Sequence, residues 1–151
     1  MIPLAKRATP AAIAVLRQAT ALSPKRKKAS DGLLPSAAHI HQNPNSDHNS
    51  GYAVDITHDP VSGIDCHTLY VKLQTDPRVK YLIFMGHIWS KEKGNKKYTG
   101  SNQHNKHLHI SIKDGCGDDT SPWFAWLGEP KVINKVKAKL PKPLPKKKET
   151  K

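Results

Sequence analysis

Residues 107–112 alternate strictly between polar and apolar side chains, in the order His, Leu, His, Ile, Ser, Ile. Successive side chains of a β-strand point to opposite faces, so this alternation predicts a strand with only one face on the core. His107 and His109 then share the polar face, while Leu108 and Ile110 enter the core. The chain must therefore fold so that two imidazoles lie side by side on one surface of a sheet.

A second polar segment, residues 46–55, reads Ser-Asp-His-Asn-Ser-Gly-Tyr-Ala-Val-Asp. Its first half is rich in turn formers and its second half favours a strand, which places His48 in a loop and Asp55 in the strand that follows. Two His and one carboxylate are a common catalytic zinc set that leaves one position for water. Together with His109, these residues predict a site for one zinc ion and a zinc-dependent hydrolase.

The first segment meets the pattern S-x-H-x-x-G-x-A-x-D through Ser46, His48, Gly51, Ala53 and Asp55. With the later His-x-His, the chain resembles the zinc peptidoglycan peptidases that include D-alanyl-D-alanine carboxypeptidases, L-alanyl-D-glutamate endopeptidases and the hedgehog zinc fold. The order His104-x-x-His107-x-His109 is most similar to the penicillin-insensitive murein endopeptidase branch. The resemblance covers about Thr9 to Leu127.

This resemblance implies an α+β fold with a small central antiparallel sheet and flanking helices, of the hedgehog and DD-peptidase type. It implies that His48, Asp55 and His109 ligate zinc. It also implies that His107 is the catalytic His beside the metal and that His104 is a further active-site His.

The chain departs from the dipeptidase branch of this family at Lys106. That branch places a carboxylate base three residues before the last His ligand, and a lysine is a poor base beside a dication. The base role therefore falls to His107, aided by His104, which favours endopeptidase cleavage of stem-peptide or cross-link amides in the cell wall. Arg26 and Ser46 are the predicted substrate-binding residues, because a guanidinium suits the carboxylates of peptidoglycan stems. The alternative interpretation is that Arg26 is simply one of the four consecutive basic residues 25–28 and has no contact with substrate.

The net charge of +13 is concentrated at the two ends of the chain. Residues 1–30 hold seven Lys or Arg and no acid, and residues 131–151 hold nine Lys and one Glu, whereas residues 31–130 hold nine basic and eleven acidic residues. We expect a catalytic domain over residues 1–130 and a disordered Lys- and Pro-rich tail over 131–151. Besides peptidoglycan, the expected partners are anionic cell-surface polymers or lipid, reached through the tail, with no specific nucleic acid and a monomeric protein.

Local patterns predict the remaining elements. Thr9 and Pro10 begin a helix whose expected apolar face is Ala12, Ile13, Leu16, Ala19 and Leu22. Further along the chain we expect a short helix over 66–74, a buried strand over 79–85 that residues 87–90 continue or follow, a polar turn region over 91–100, and an aromatic core lid over 121–127.

No signal peptide and no membrane-spanning segment is visible. A wall enzyme without an export signal suits a phage or prophage endolysin that stays in the host cytoplasm until a holin releases it, or a virion-associated wall hydrolase.

Two other functions stay open at this point. One is a metal-dependent nuclease of the His-Asn-His type, suggested by Asp47-His48 in a basic chain, although no Asn occurs between Tyr52 and Gly94. The other is a non-catalytic zinc-bearing wall-binding module, against which His104 and His107 argue.

Overall fold

The computed structural model describes residues 7–35 and 45–127, which form an α+β fold. Within these residues the chain has two α-helices, three short 3-10 helices and five strands. The helices are α1 (Pro10–Leu22) and α2 (Cys66–Lys72), and the 3-10 helices cover Pro60–Ser62, Leu73–Thr75 and Ala125–Leu127. The strands are β1 (Ala53–Thr57), β2 (Val79–Phe84), β3 (His87–Ser90), β4 (Gly94–Lys97) and β5 (His107–Ile112). They form one antiparallel sheet in the order β1-β5-β2-β3-β4, so the predicted α+β class with a central antiparallel sheet is confirmed.

Helix α1 begins where the sequence predicts and buries most of the expected face. The Thr9 hydroxyl accepts a hydrogen bond from the Ala12 amide, and Pro10 occupies the first turn. Of the predicted face, Ala12 and Ala19 are buried and Ile13 and Leu16 are partly buried against the core, whereas Leu22 is 40% exposed. The side chains of Ala11, Ala14 and Val15 are buried as well, and the helix packs on β1.

The two faces of the sheet differ in chemistry. Its apolar face is part of the hydrophobic core and is built from Val54, Ile56, Leu82, Leu108 and Ile110. The opposite face carries His107, His109 and Ser111, as the alternation in β5 predicts.

Strand β2 contains a β-bulge at Lys80. Val79 pairs with Ile112, and the register then shifts so that Tyr81 pairs with Ser111. Val79 belongs to the core, while Tyr81 shares the polar face with its partner Ser111. A bulge adds one residue to a strand and re-aims the side chains around it.

The segment 25–35 follows the outer edge of β1 and is fixed there by Arg26. The guanidinium donates two hydrogen bonds to the Asp31 carboxylate, at 3.0 and 2.8 Å, and its side chain is 1% exposed. Asp31 also accepts hydrogen bonds from the amide and hydroxyl of Thr57, and Gly32 bonds to Asp55 through both backbone groups. The structure thus gives Arg26 a structural role in place of the predicted substrate contact, since the carboxylate that it binds belongs to the protein itself.

In the second half of the chain one prediction needs correction, one open alternative is decided and one prediction is confirmed. Residues 91–100 were predicted as a polar turn region, but they contain the edge strand β4. This strand is mostly exposed and polar, as edge strands often are, so its sequence shows no alternation of polar and apolar residues. Residues 87–90 form the separate strand β3. The aromatic lid is confirmed, as Trp123 and Phe124 are each 2% exposed and the Trp123 indole donates to the carbonyl of Ala11.

The tail 131–151, and with it the predicted domain boundary at residue 130, lies outside the described residues. In the part of the chain that is described, none of the helices combines the length and the apolar character needed to cross a membrane.

We expect Arg26→Ala to lower the free energy of unfolding by about 3–5 kcal/mol, because it leaves the Asp31 carboxylate without its buried partner. Lys28→Ala, in the same charge run but exposed, is the matched control and should change it by less than about 0.5 kcal/mol. Urea denaturation followed by circular dichroism measures both values. Equal stabilities of the two variants would contradict the structural role of Arg26.

Candidate metal centre

The pairing of β1 with β5 places a carboxylate beside an imidazole. Asp55 lies directly opposite His109 in this antiparallel pair, and opposite residues present their side chains to the same face. His48 reaches the same place from a series of turns over 45–51. These turns need Gly51, which has φ +82° and whose added Cβ would lie 2.9 Å from the carbonyl oxygen of Arg7.

The three predicted ligand residues converge on one point. Asp55 Oδ1 lies 3.2 Å from His48 Nε2 and 3.1 Å from His109 Nδ1. The three ligand atoms all lie within 4.8 Å of one another. Bonds of about 2.0–2.2 Å to tetrahedral zinc would set neighbouring ligand atoms about 3.3 Å apart. The group is therefore compatible with a metal ion.

Hydrogen bonds on the far side of each ring decide which nitrogen faces Asp55. His48 Nδ1 lies 2.7 Å from the carbonyl oxygen of Leu33, which can only accept, so Nδ1 donates there and Nε2, which lies 3.2 Å from Asp55, is the nitrogen that a metal ion would take in place of a proton. His109 Nε2 lies 2.8 Å from Ser111 Oγ, which leaves Nδ1 facing the same carboxylate. Such outer hydrogen bonds orient metal-binding His residues in proteins generally.

The charge state of the carboxylate also suits a cation. Burial would raise the pKa of Asp55, but hydrogen bonds from His109 and His48 hold this pKa well below its usual range. Burial opposes a charged His48, but the Asp55 carboxylate and the Leu33 carbonyl outweigh it and raise the pKa of His48. Asp55 is thus an anion across the physiological range.

His107 and His104 lie beside this group. His107 Nε2 is 3.7 Å from Asp55 Oδ2, and the His104 ring centroid is 4.9 Å from that of His107 and 5.7 Å from that of His109. Burial and the neighbouring His109 and His107 lower the pKa of His104 to about 4, and burial lowers the pKa of His107. Both imidazoles are therefore neutral near neutral pH.

His104 is held in an unusual conformation. Its φ of 59° is in the left-handed region, which is costly for a residue with a side chain and often marks a functional site. Its Nδ1 donates to the carbonyl oxygen of Asn102 at 2.7 Å, so Nε2 keeps its lone pair and is a proton acceptor.

These side chains lie in the wall of an open cavity of about 810 Å³. The lining residues are Asn45, Ser46, His48, Asp55, Tyr81, Ile83, Tyr98, Gly100, Ser101, Asn102, His104, His107 and His109. Six of the seven predicted site residues are thus brought together, including Ser46, whose hydroxyl also accepts from the His48 amide. Arg26 is not in the lining, for the reason given above.

Sequence reasoning missed Tyr81, Tyr98 and Asn102. A strand over 79–85 was predicted as buried throughout, which hid the polar face of Tyr81. The signal that could have revealed the polar face is Tyr81 itself, a residue with a hydroxyl group two positions before Ile83 and therefore on the same face of the strand.

A second group, His58, Asp65 and His67, also has ligand atoms within 4.8 Å of one another. Here the hydrogen bonds oppose coordination by His58. The Cys66 amide donates to His58 Nδ1 at 3.0 Å, so the proton of the neutral ring is on Nε2, and burial lowers the pKa of His58. Asp65 caps helix α2 by accepting from the His67 amide. This group therefore fits a helix cap better than a metal.

Comparisons with protein-family models, with curated proteins and with solved structures found no match to this chain. The properties of the site thus follow from its own geometry.

We expect Ala at position 48, 55 or 109 to reduce zinc affinity at least about tenfold, since two ligands hold the ion far more weakly than three. His67→Ala is the matched control, as it removes an imidazole from the second group, and it should keep one equivalent of zinc. Zinc titration of the metal-free proteins against a chromogenic chelator measures this. Full zinc binding by His48→Ala, or loss of binding in the control alone, would contradict the assignment.

Proposed function

We propose that the protein is a zinc-dependent endopeptidase of peptidoglycan, with a hedgehog and DD-peptidase-like fold. One observation carries the proposal: His48 and Asp55 of the motif meet His109 in one ligand set, with two neutral imidazoles beside it in an open cavity. The donor set fits zinc because its two nitrogens and one carboxylate leave room for a further ligand. The resemblance described above supplies the substrate class.

When bound, zinc would supply Lewis acidity, which polarises a peptide carbonyl and makes water acidic enough to react near neutral pH. The chain's own residues would handle the protons. His107 is neutral, half-buried and part of the cavity wall, so it can take a proton from the attacking water and pass it to the leaving amine. His104 Nε2 is a second acceptor close to it.

Lys106 has no place in this chemistry. It occupies the position of the carboxylate base in the dipeptidase branch, but its side chain is exposed and it is not part of the cavity lining. The base role of His107 is thus consistent with the structure around it.

The lining of the cavity favours an endopeptidase over a carboxypeptidase. None of the described lining residues is Lys or Arg, so this part of the cavity offers no cation for a terminal carboxylate. Ser46, Ser101 and Asn102 instead offer neutral hydroxyl and amide groups, which suit the amides of a continuing peptide chain.

The biological setting that fits this activity is a phage or prophage endolysin, or a virion-associated wall hydrolase. The nine lysines of residues 131–151 would add an attraction to anionic polymers or lipid of the cell surface that weakens as salt rises.

The proposed activity predicts that the zinc-loaded protein cleaves purified peptidoglycan and leaves duplex DNA intact. Mass spectrometry of the digest should show new amino termini within stem peptides or cross-links, without release of free D-alanine as the main product. A chelator should stop the reaction and zinc should restore it. Cleavage of DNA, or peptidoglycan binding without cleavage, would support the nuclease or the binding module instead.

We expect His107→Ala to keep zinc and the fold while losing about 10²- to 10⁴-fold in cleavage rate, the usual contribution of a general acid–base residue. Lys106→Ala is the matched control on the adjacent residue and should retain the wild-type rate. Initial rates on a soluble cross-linked muropeptide, together with zinc content, separate the two effects. Loss of zinc in His107→Ala would make this residue a ligand.

A further inference from the structure

Residues 98–104 (the cavity loop) follow β4 and form one side of the cavity. The residues of this loop in the cavity lining are Tyr98, Gly100, Ser101, Asn102 and His104. The two-residue turn that joins β2 to β3 holds the loop. The Tyr98 amide donates to the Gly86 carbonyl at 2.8 Å, and the Gly86 amide donates to the Gln103 carbonyl at 3.0 Å. The Met85 amide donates to the His104 carbonyl at 3.1 Å. This wall of the cavity is thus attached to the sheet at both ends of the loop.

The side chain of Gln103 holds the cavity loop together from within. Its Nε2 donates to the carbonyl oxygen of Gly100 at 2.6 Å and to that of Tyr98 at 3.3 Å. Two glycines make room for this arrangement. Gly86 has φ +77°, and a Cβ there would lie 2.8 Å from Gln103 Oε1, whereas a Cβ at Gly100 would overlap the Tyr98 ring. Contacts within the protein therefore set the backbone of the loop.

Asn102 is tied to His104 through both of its oxygen atoms. Its side-chain Oδ1 accepts from the His104 amide at 3.0 Å, and its carbonyl oxygen lies 2.7 Å from His104 Nδ1. A backbone N–H can only donate, so the atom that faces it must be Oδ1, and the other branch of the side chain must be the NH2 group. Among the described residues nothing accepts a hydrogen bond from this NH2 group, and Asn102 is an exposed residue of the cavity wall. A donor of fixed position is thus available to a molecule in the cavity.

We propose that Asn102 is a substrate-binding residue whose Nδ2 donates a hydrogen bond to a carbonyl oxygen of the stem peptide. An NH2 group can only donate, and a peptide chain in the cavity offers carbonyl oxygens as acceptors. A neutral donor gives no charge attraction to a terminal carboxylate, so it binds an internal amide without favouring a chain end. Because the same side chain holds the His104 amide, the contact also positions the peptide relative to His104. The inference rests on the substrate class of the proposed function and adds the atom that the substrate meets.

The first test separates the donor of this side chain from its acceptor. Asn102→Asp keeps an oxygen for the His104 amide and replaces the NH2 group by a second acceptor. Asn102→Ser keeps an acceptor in its shorter hydroxyl and adds no charge. We expect both variants to raise the KM for a cross-linked stem peptide without sugars at least about threefold, the value of one hydrogen bond. The kcat should stay within about twofold, since the contact is made both before and during the reaction.

Asn105→Asp is the matched control for this test. Asn105 is also exposed and lies between β4 and β5, but it is not part of the cavity lining. This variant adds the same charge and should keep the wild-type KM. The wild type and all three variants should bind zinc equally in competition with a chromogenic chelator, because none of the changes removes a proposed ligand. Weaker zinc binding by both Asn102 variants would make Asn102 part of the metal site and overturn the substrate contact.

The second test observes binding without cleavage. The metal-free protein is titrated with the same peptide, and nitrogen-15 NMR follows the side-chain NH2 groups. The Asn102 signal is the pair of resonances that is missing from the spectrum of Asn102→Ser. We expect this pair to move as peptide is added, and the dissociation constant of Asn102→Ser to rise by a factor similar to that of its KM. A stationary Asn102 signal, while other signals from the cavity move, would overturn the proposal.

The outcomes distinguish this inference from the proposed function. A wild-type protein that cleaves peptidoglycan, together with equal KM values for both Asn102 variants and Asn105→Asp, would overturn the contact and leave the proposed function standing. A wild-type protein that neither cleaves peptidoglycan nor binds the stem peptide would refute the proposed substrate, and the contact with it.

Discussion

The candidate site depends on the register between β1 and β5. Asp55 faces His109 only because these two antiparallel strands pair at this register, and a slip of one residue would turn Asp55 toward the core. Two constraints hold the register. Val54, Ile56, Leu108 and Ile110 must all be buried on the other face, and Gly32 pairs with both backbone groups of Asp55 at the outer edge. The Arg26–Asp31 ion pair is part of the site in this indirect sense, since it holds the segment that carries Gly32 and Leu33.

Hydrogen-bond direction separates the two His–Asp–His groups of this protein. Both bring three ligand atoms within 4.8 Å of one another, so distance alone does not distinguish them. The Leu33 carbonyl accepts from His48 Nδ1 and so leaves Nε2 as the nitrogen that a metal can take in place of a proton. The Cys66 amide donates to His58 Nδ1, which puts the proton of the neutral ring on Nε2. A metal requires the lone pair, so the backbone around each ring decides which group suits a cation.

Local sequence patterns predicted the parts of the structure that depend on local chemistry. The start of α1 and the strands around Asp55 and His109 follow from caps, turns and alternation. The convergence of His48 with both was predicted from their donor types, which together make a zinc ligand set. The role of Arg26 could not be predicted, because a charge run does not show which member has a buried partner at Asp31. The same limit applies to Lys80, whose pairing with Asp47 involves a bulge residue, and to β4, whose polar residues pair without facing a core. Each of these features is set by a contact distant in sequence.

The excess of basic residues in this chain is not found in the lining of the cavity. The net charge is +13, yet the described cavity lining holds one carboxylate and neither Lys nor Arg. Lys80, which stands beside Tyr81 at this site, is paired with Asp47, so it adds little net field there. Screening limits solvent-exposed charges to about 10 Å at 0.1 M salt. The proposed attraction to an anionic wall and the proposed reaction in the cavity would therefore depend on different residues, the first on the lysines of 131–151 and the second on hydrogen-bonded imidazoles.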